Sequence, residues 1–390
     1  MFLSAGTTRI AAPPARGCSA KAALALACLL AAGCSPAYVL RAGYEEAKIL
    51  WRREPMERVL ARADLDPAWR RKIETVLDAR GFARGLGLNV GGSFASLSYL
   101  DADSNIFVLT AAKRTALEPH TWWFPIVGKV PYKGFFSRRR AEAEAAALDA
   151  HGYDTYIRPA AAFSTLGWFG DPLLRHLLRH DEGFLVNLVL HEVYHNTFYV
   201  RGATAFNESL ATFVGYRGAI AFFAARPESA ELAREAALEW DDELRFAAFV
   251  DRLAARLRGI YAAAPDEPAA LAAREEIFAA ARSEFRSLAF ARKRFDAFLT
   301  EPLDNAVVLH HLLYTTALDV FEAIYRRHGD LRSALSFIER AAHGEGDPFT
   351  AVRRALGELG PSEAAGASRP CTTAPLIPPH VRRSGTPSDP

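Results

Sequence analysis

From about residue 172 to 358, apolar side chains recur every three or four positions and alanine fills much of the space between them, which predicts a series of packed helices. Pro227, Pro265, Pro268 and Pro302 cut that run, because proline cannot continue a helix it interrupts. Between 90 and 160 the pattern changes. SNIFVLTA, HTWWFPIV and KVPYKGFF are rich in β-branched and aromatic residues and are separated by turn formers, so they read as short strands. An alanine- and glutamate-rich stretch over 138–151 predicts a helix, and 153–158 alternates as one more strand. Upstream, 38 to about 84 is helical with a break at Pro55. Asp66-Pro67 opens a second helix there, with Ile73, Val76 and Leu77 on one face. The GLGLNVGGS stretch that follows is a turn-rich connector. Strands followed by a block of helices predict an α+β fold: a small mixed sheet, then a predominantly helical C-terminal part. We read 34–360 as one unit rather than two domains.

Half of the 390 residues are hydrophobic, enough for a substantial core. Formal net charge is only +2 and the basic residues are scattered, so electrostatics imply no nucleic-acid partner. The Arg138-Arg139-Arg140 run, diluted by Glu142 and Glu144, reads as a solvated helix start. Residues 361–390, rich in Pro, Ser and Thr, read as a disordered tail.

The N-terminus is different in kind. Arg9, Arg16 and Lys21 precede AALALACLLAAG, too short to span a bilayer, which needs roughly 20 apolar residues. With no acidic residue nearby, this is the composition of an export signal. Its end, Leu30-Ala31-Ala32-Gly33-Cys34, resembles the lipobox of bacterial lipoproteins, although the position three before the cysteine is Ala31 rather than leucine. That resemblance implies a signal over 1–33, lipidation at Cys34 and a membrane anchor; Ser35 after the cysteine points to the outer membrane, facing the periplasm. An ordinary cleaved signal with an incidental cysteine is the alternative. Loss of 1–33 would take the formal charge from +2 to −1 and leave only Cys34 and Cys371, so no internal disulfide is expected.

Residues 191–208 carry the candidate chemistry: HEVYHNTFYVRGATAFNE. On a helix, His191 and His195 project from one face, so both imidazoles can reach one ion. Glu192, roughly a quarter turn round, lies closer to a water on that ion than to the ion itself. This is the HExxH arrangement, in which two histidines bind zinc and the glutamate is the base. With eleven histidines the pentad alone is weak, since two buried histidines on a packed helix give the same spacing. Asp181 reads as that helix's N-cap and Gly202 as its stop. A second helix starting near Thr204 carries Glu208, which can fold back as a third ligand and leave a fourth position open. Asn207 and Ser209 read as capping residues, and Thr212 as a hydrogen-bond partner for a ligand.

HEVYH followed by FNESLATFVG resembles the gluzincin metallopeptidases, and more narrowly a bacterial family of zinc aminopeptidases. AYVLRAGYEEAKILWRREP, LEPHTWWFPIVGKVPYKGFF, AFSTLGWFGDPLL and LDNAVVLHHLLY extend the likeness. It implies a zincin-like fold, with His191, His195 and Glu208 as Zn2+ ligands, Glu192 as catalytic base and peptides as substrate. It also implies an edge strand at STLGWFGDP for a peptide to pair with. The GxMEN stretch that holds the free amine in better-known zinc aminopeptidases is absent. The oxyanion-stabilising donor is expected from 303–314, with Tyr314 first and Asn305 or His311 as alternatives; Tyr199 is a further candidate. Two other functions stay open from sequence: an envelope lipoprotein with a structural zinc, and a zinc hydrolase of non-peptide amides.

Overall fold

A computed structural model describes residues 36–99, 106–124, 128–159, 170–292, 295, 297–344 and 346–358. The expected signal, Cys34, residues 164–169 of the expected edge strand and the tail lie outside the described residues.

The fold is mixed α+β and mostly helical. Helix α1 (Pro36–Trp51) leads into strand β1 (Arg53–Pro55), then α2 (Met56–Leu60) and α3 (Pro67–Gly85). Asp66 caps α3 by accepting from the Ala68 and Trp69 N–H groups, and Pro67 occupies its first turn. Ile73 and Val76 are buried as predicted. Strand β2 (Ser96–Ser98) pairs antiparallel with β1, Arg53 opposite Ser98.

Strand β3 (Phe107–Lys113) is followed by β4 (Trp122–Phe124), β5 (Gly128–Val130), β6 (Tyr132–Phe135), helix α4 (Arg138–Asp149) and β7 (Tyr153–Pro159). β3 is central, antiparallel to both β6 and β7; β4 and β5 form a separate hairpin. Two-residue β8 (Leu173–Leu174) pairs parallel with β2. The described strands therefore make two three-stranded sheets and a hairpin, where the sequence pattern predicts one small mixed sheet. The strands at 53–55 and 96–98 are too short to register a two-residue period, so no local pattern marks the first sheet.

The remainder is helical: α5 (Glu182–His195), α6 (Thr204–Ala224), α7 (Ala230–Ala263), α8 (Glu267–Ser287), α9 (Ala297–Thr300), α10 (Asn305–Thr315), α11 (Leu318–His328), α12 (Leu331–Ala342) and α13 (Pro348–Glu358). α5 and α6 are apolar on nearly every side because they lie at the centre of the main core, covered by α3, α11 and α12. A second core joins α7, α8, α9 and α10 through Phe246, Phe249, Phe285 and Phe298.

The β6-β3-β7 sheet has two different faces. Phe107, Leu109 and Ile157 pack on α4. The row Tyr132–Thr110–Tyr156 lies on the opposite face, with Arg158 two residues along from Tyr156. That face meets α10, and Arg274 and Asn305 fasten the join. Arg274 pairs with buried Asp154 at 2.7 and 3.2 Å, and the Asn305 amide donates to the Lys113 carbonyl at 2.8 Å.

Candidate metal centre

Asp181 caps α5, accepting from the Phe184 N–H at 2.8 Å, as the sequence predicts. The helix ends at His195, seven residues before Gly202, which corrects the predicted stop. There the Thr197 hydroxyl takes the Val193 carbonyl at 3.0 Å, an alternative partner for helix backbone. Gly202 has φ +78° and turns the chain into α6 instead. Asn207 braces this loop by accepting from Val200 N–H and donating to Val200 C=O, both at 2.8 Å. Ser209 is likewise not a cap. Its hydroxyl donates to the Leu313 carbonyl at 3.2 Å and ties α6 to α10.

This turn sets Glu208 against the two histidines. His191 Nε2 and His195 Nε2 are 3.3 Å apart, and Glu208 Oε2 is 3.5 Å from the first and 3.6 Å from the second. The three donor atoms lie within 4.8 Å of one another, and their side chains are 15, 7 and 12% exposed. Among the described residues no lysine or arginine pairs with Glu208. Burial alone would raise its carboxyl, but His195 and the hydrogen bonds from both imidazoles outweigh that and hold it well below the ordinary range. Burial alone would lower His195, and Glu208 reverses that to a net rise. An enclosed carboxylate whose Oε2 is met by two imidazoles that point at one another, with no basic side chain beside it among the described residues, suits a shared cation. The spacing fits as well: bonds of about 2.0–2.1 Å to a tetrahedral zinc put two nitrogens about 3.3 Å apart.

Glu192 is enclosed beside this group. Burial raises its carboxyl, and the neighbouring imidazoles offset this only in part. Tyr314, on α10, brings its ring to 6.5 Å from that of His191. Burial raises its phenol, reinforced by the Glu208 charge, so it keeps its proton at neutral pH. Tyr199 is more exposed, and burial followed by the Glu208 charge raises it too. Thr212 is buried, yet among the described residues no hydrogen bond joins it to Glu208.

Two alternatives for the oxyanion donor are corrected. Asn305 is committed to Lys113, Arg114 and Tyr261. His311 packs on Phe246 and lines a cleft of about 90 Å³ with Tyr156, Phe298 and Glu301, which contains none of the three donors. Burial there lowers its imidazole to about 4.

The sequence reading missed Tyr132 and Arg158. Tyr132 donates from its hydroxyl to Glu208 Oε1 at 3.4 Å, and burial pushes its phenol well up. Arg158 donates to the Tyr314 hydroxyl at 2.8 Å. Their shared face follows from the pairing of β6 and β7 through β3, which no local pattern encodes; the strand alternation Tyr156-x-Arg158 was the available clue.

The chain matches, over residues 37–354, the family model described as "Putative aminopeptidase", and it belongs to that family. No curated protein and no solved structure matches it.

Proposed function

We propose that this protein is a zinc-dependent peptidase, an aminopeptidase in its cleavage, with a zincin-like pair of helices at its centre. The convergence of His191, His195 and Glu208 carries the reading: two imidazole nitrogens and one carboxylate oxygen meet at one point. Among the described residues the group has three protein donors, the number a catalytic zinc uses while keeping a place for water. When bound, zinc would lower the pKa of that water toward roughly 7 and polarise a peptide carbonyl.

The chain's own residues supply the rest. The Glu192 carboxylate takes the proton of the attacking water and passes it to the departing amine. The Tyr314 hydroxyl donates to the carbonyl oxygen as negative charge gathers there. Tyr132 holds Glu208 from the side away from the imidazoles. The lipobox-like segment ending at Cys34 extends the proposal to a lipid-anchored envelope enzyme facing the periplasm.

Amino-acid arylamides and N-blocked peptides, with and without chelator, test the activity. Metal-dependent cleavage of the free-amine substrates is expected. Glu192→Gln should lower the rate by roughly 10²–10⁴ and keep its zinc, whereas Glu208→Gln should lose the metal by elemental analysis. Full activity in Glu192→Gln, or in chelated wild type, would sink the reading.

A further inference from the structure

Resting on the peptidase reading above, we propose that Arg158 binds the C-terminal carboxylate of short peptides, making free-acid di- and tripeptides the preferred substrates. Arg158 is half-buried on β7 and lies against α10. Its Nε donates to His310 Nδ1 at 3.3 Å and one Nη2 hydrogen goes to the Tyr314 hydroxyl at 2.8 Å. Among the described residues Nη1 reaches only the Pro159 carbonyl, at 3.4 Å. A guanidinium has five N–H donors, so one on each terminal nitrogen has no partner among the described residues.

Nor, among the described residues, does any carboxylate pair with it. Glu301, which meets the neighbouring Tyr156, accepts from that hydroxyl instead, at 3.4 Å. Arg274 and Arg217 are answered by Asp154 and Glu322. Half-buried Arg70, Arg80 and Arg282 direct their donors to two or more backbone carbonyls each, whereas Arg158 meets one carbonyl, one imidazole and one phenol. Leaving one cation half-desolvated without an anion costs free energy that an incoming anion would recover.

The position selects which anion. Arg158 touches the phenol whose ring faces His191, so it stands just beyond the three-donor centre. A peptide with its scissile carbonyl at that centre carries its terminal carboxylate one or two residues further, roughly 4–7 Å on. Planar guanidinium and planar carboxylate are well-matched partners. An acidic side chain following the scissile bond offers the same group from another source, and the substrates below separate the two.

Zinc-loaded full-length protein, with Arg158→Gln and Arg158→Lys, is assayed on Leu-Ala, Leu-Ala amide and Leu-Asp amide. The wild type should show kcat/KM for Leu-Ala about tenfold or more above that for its amide. The ratio should fall to near one in Arg158→Gln and recover in part in Arg158→Lys. If Arg158 only positioned Tyr314, its loss would slow both substrates alike and leave the ratio unchanged. Such an unchanged ratio overturns the proposal, as does equal cleavage of acid and amide by wild type or Leu-Asp amide matching Leu-Ala; the peptidase reading survives all three. If nothing is cleaved, that reading fails, and calorimetry decides the Arg158 proposal separately. Tighter binding of Leu-Ala than its amide to zinc-loaded Glu192→Gln, lost when Arg158→Gln is added, upholds it, and equal binding overturns it.

Discussion

Tyr132 and Tyr314 approach Glu208 from a strand and a helix, and their hydroxyls have different freedom. The Tyr132 proton is directed to Glu208 Oε1. The Tyr314 oxygen accepts from Arg158, so its own proton can go to a substrate. Burial raises both phenols and keeps both protonated at neutral pH. Tyr314→Phe is therefore expected to lower kcat by about 10²-fold with zinc retained. Tyr132→Phe should instead weaken zinc binding, by roughly tenfold. Parallel steady-state kinetics and metal titrations check this; matching phenotypes would erase the distinction. At this scale the sequence was most legible where spacing is local. His191 and His195 share a face because a helix has its period, and Glu208 follows after one turn. Tyr132 and Arg158 come from strands that meet only through β3, and no feature of their own neighbourhoods announces that meeting.

Helices α5 and α6 hold the centre together because they approach closely where α6 has glycine. A Cβ on Gly215 would stand 2.6 Å from Asn187 Oδ1 and 3.0 Å from the Asn187 carbonyl oxygen. On Gly218 it would meet Leu190 Cδ1 at 2.6 Å, the movable end of a side chain. Gly215→Ala must displace backbone, so it should cost about 1–3 kcal/mol. It should also weaken zinc binding, because Glu208 rides on the helix that shifts. Gly218→Ala should cost less, since Leu190 can change rotamer. Thermal melts and metal titrations of both variants test the order, and a milder effect at Gly215 would contradict it. Helix identity and the proline breaks were legible in sequence, since period and proline chemistry are local. The early end of α5 was not, because Thr197 and the brace from Asn207 decide it.

Across the whole molecule, the sheet and the helices are joined near the start of α10. Asp304 caps α10 by accepting from the Val307 N–H at 3.0 Å, while burial raises its carboxyl to about 6. The cap and Arg274 pull the other way, and Asp154 adds to the rise. Between an unfolded value of about 4 and the folded value, the native state holds more proton than the unfolded one, so stability falls as pH rises through that window. The loss is on the order of 2–3 kcal/mol. An asparagine side chain at this position would keep the cap without the charge. Asp304→Asn should therefore gain in Tm over wild type as pH goes from about 4 to about 7. A Tm difference constant across that range would refute the assignment.

The amino-acid order alone was enough for the helices, the main strands, the helix start at Asp66, the cap at Asp181, and the alignment of His191 with His195. Each of these rests on periods or side-chain-to-backbone contacts within a few residues. The three-dimensional arrangement was needed to show that the strands form separate sheets, that Asn305 and His311 serve packing, that Tyr132 meets Glu208 and that Arg158 meets Tyr314. Those outcomes depend on register between strands and on which helix covers which sheet face. Such contacts join residues far apart in the chain, 156 positions in the case of Arg158 and Tyr314, and a local pattern carries no record of them.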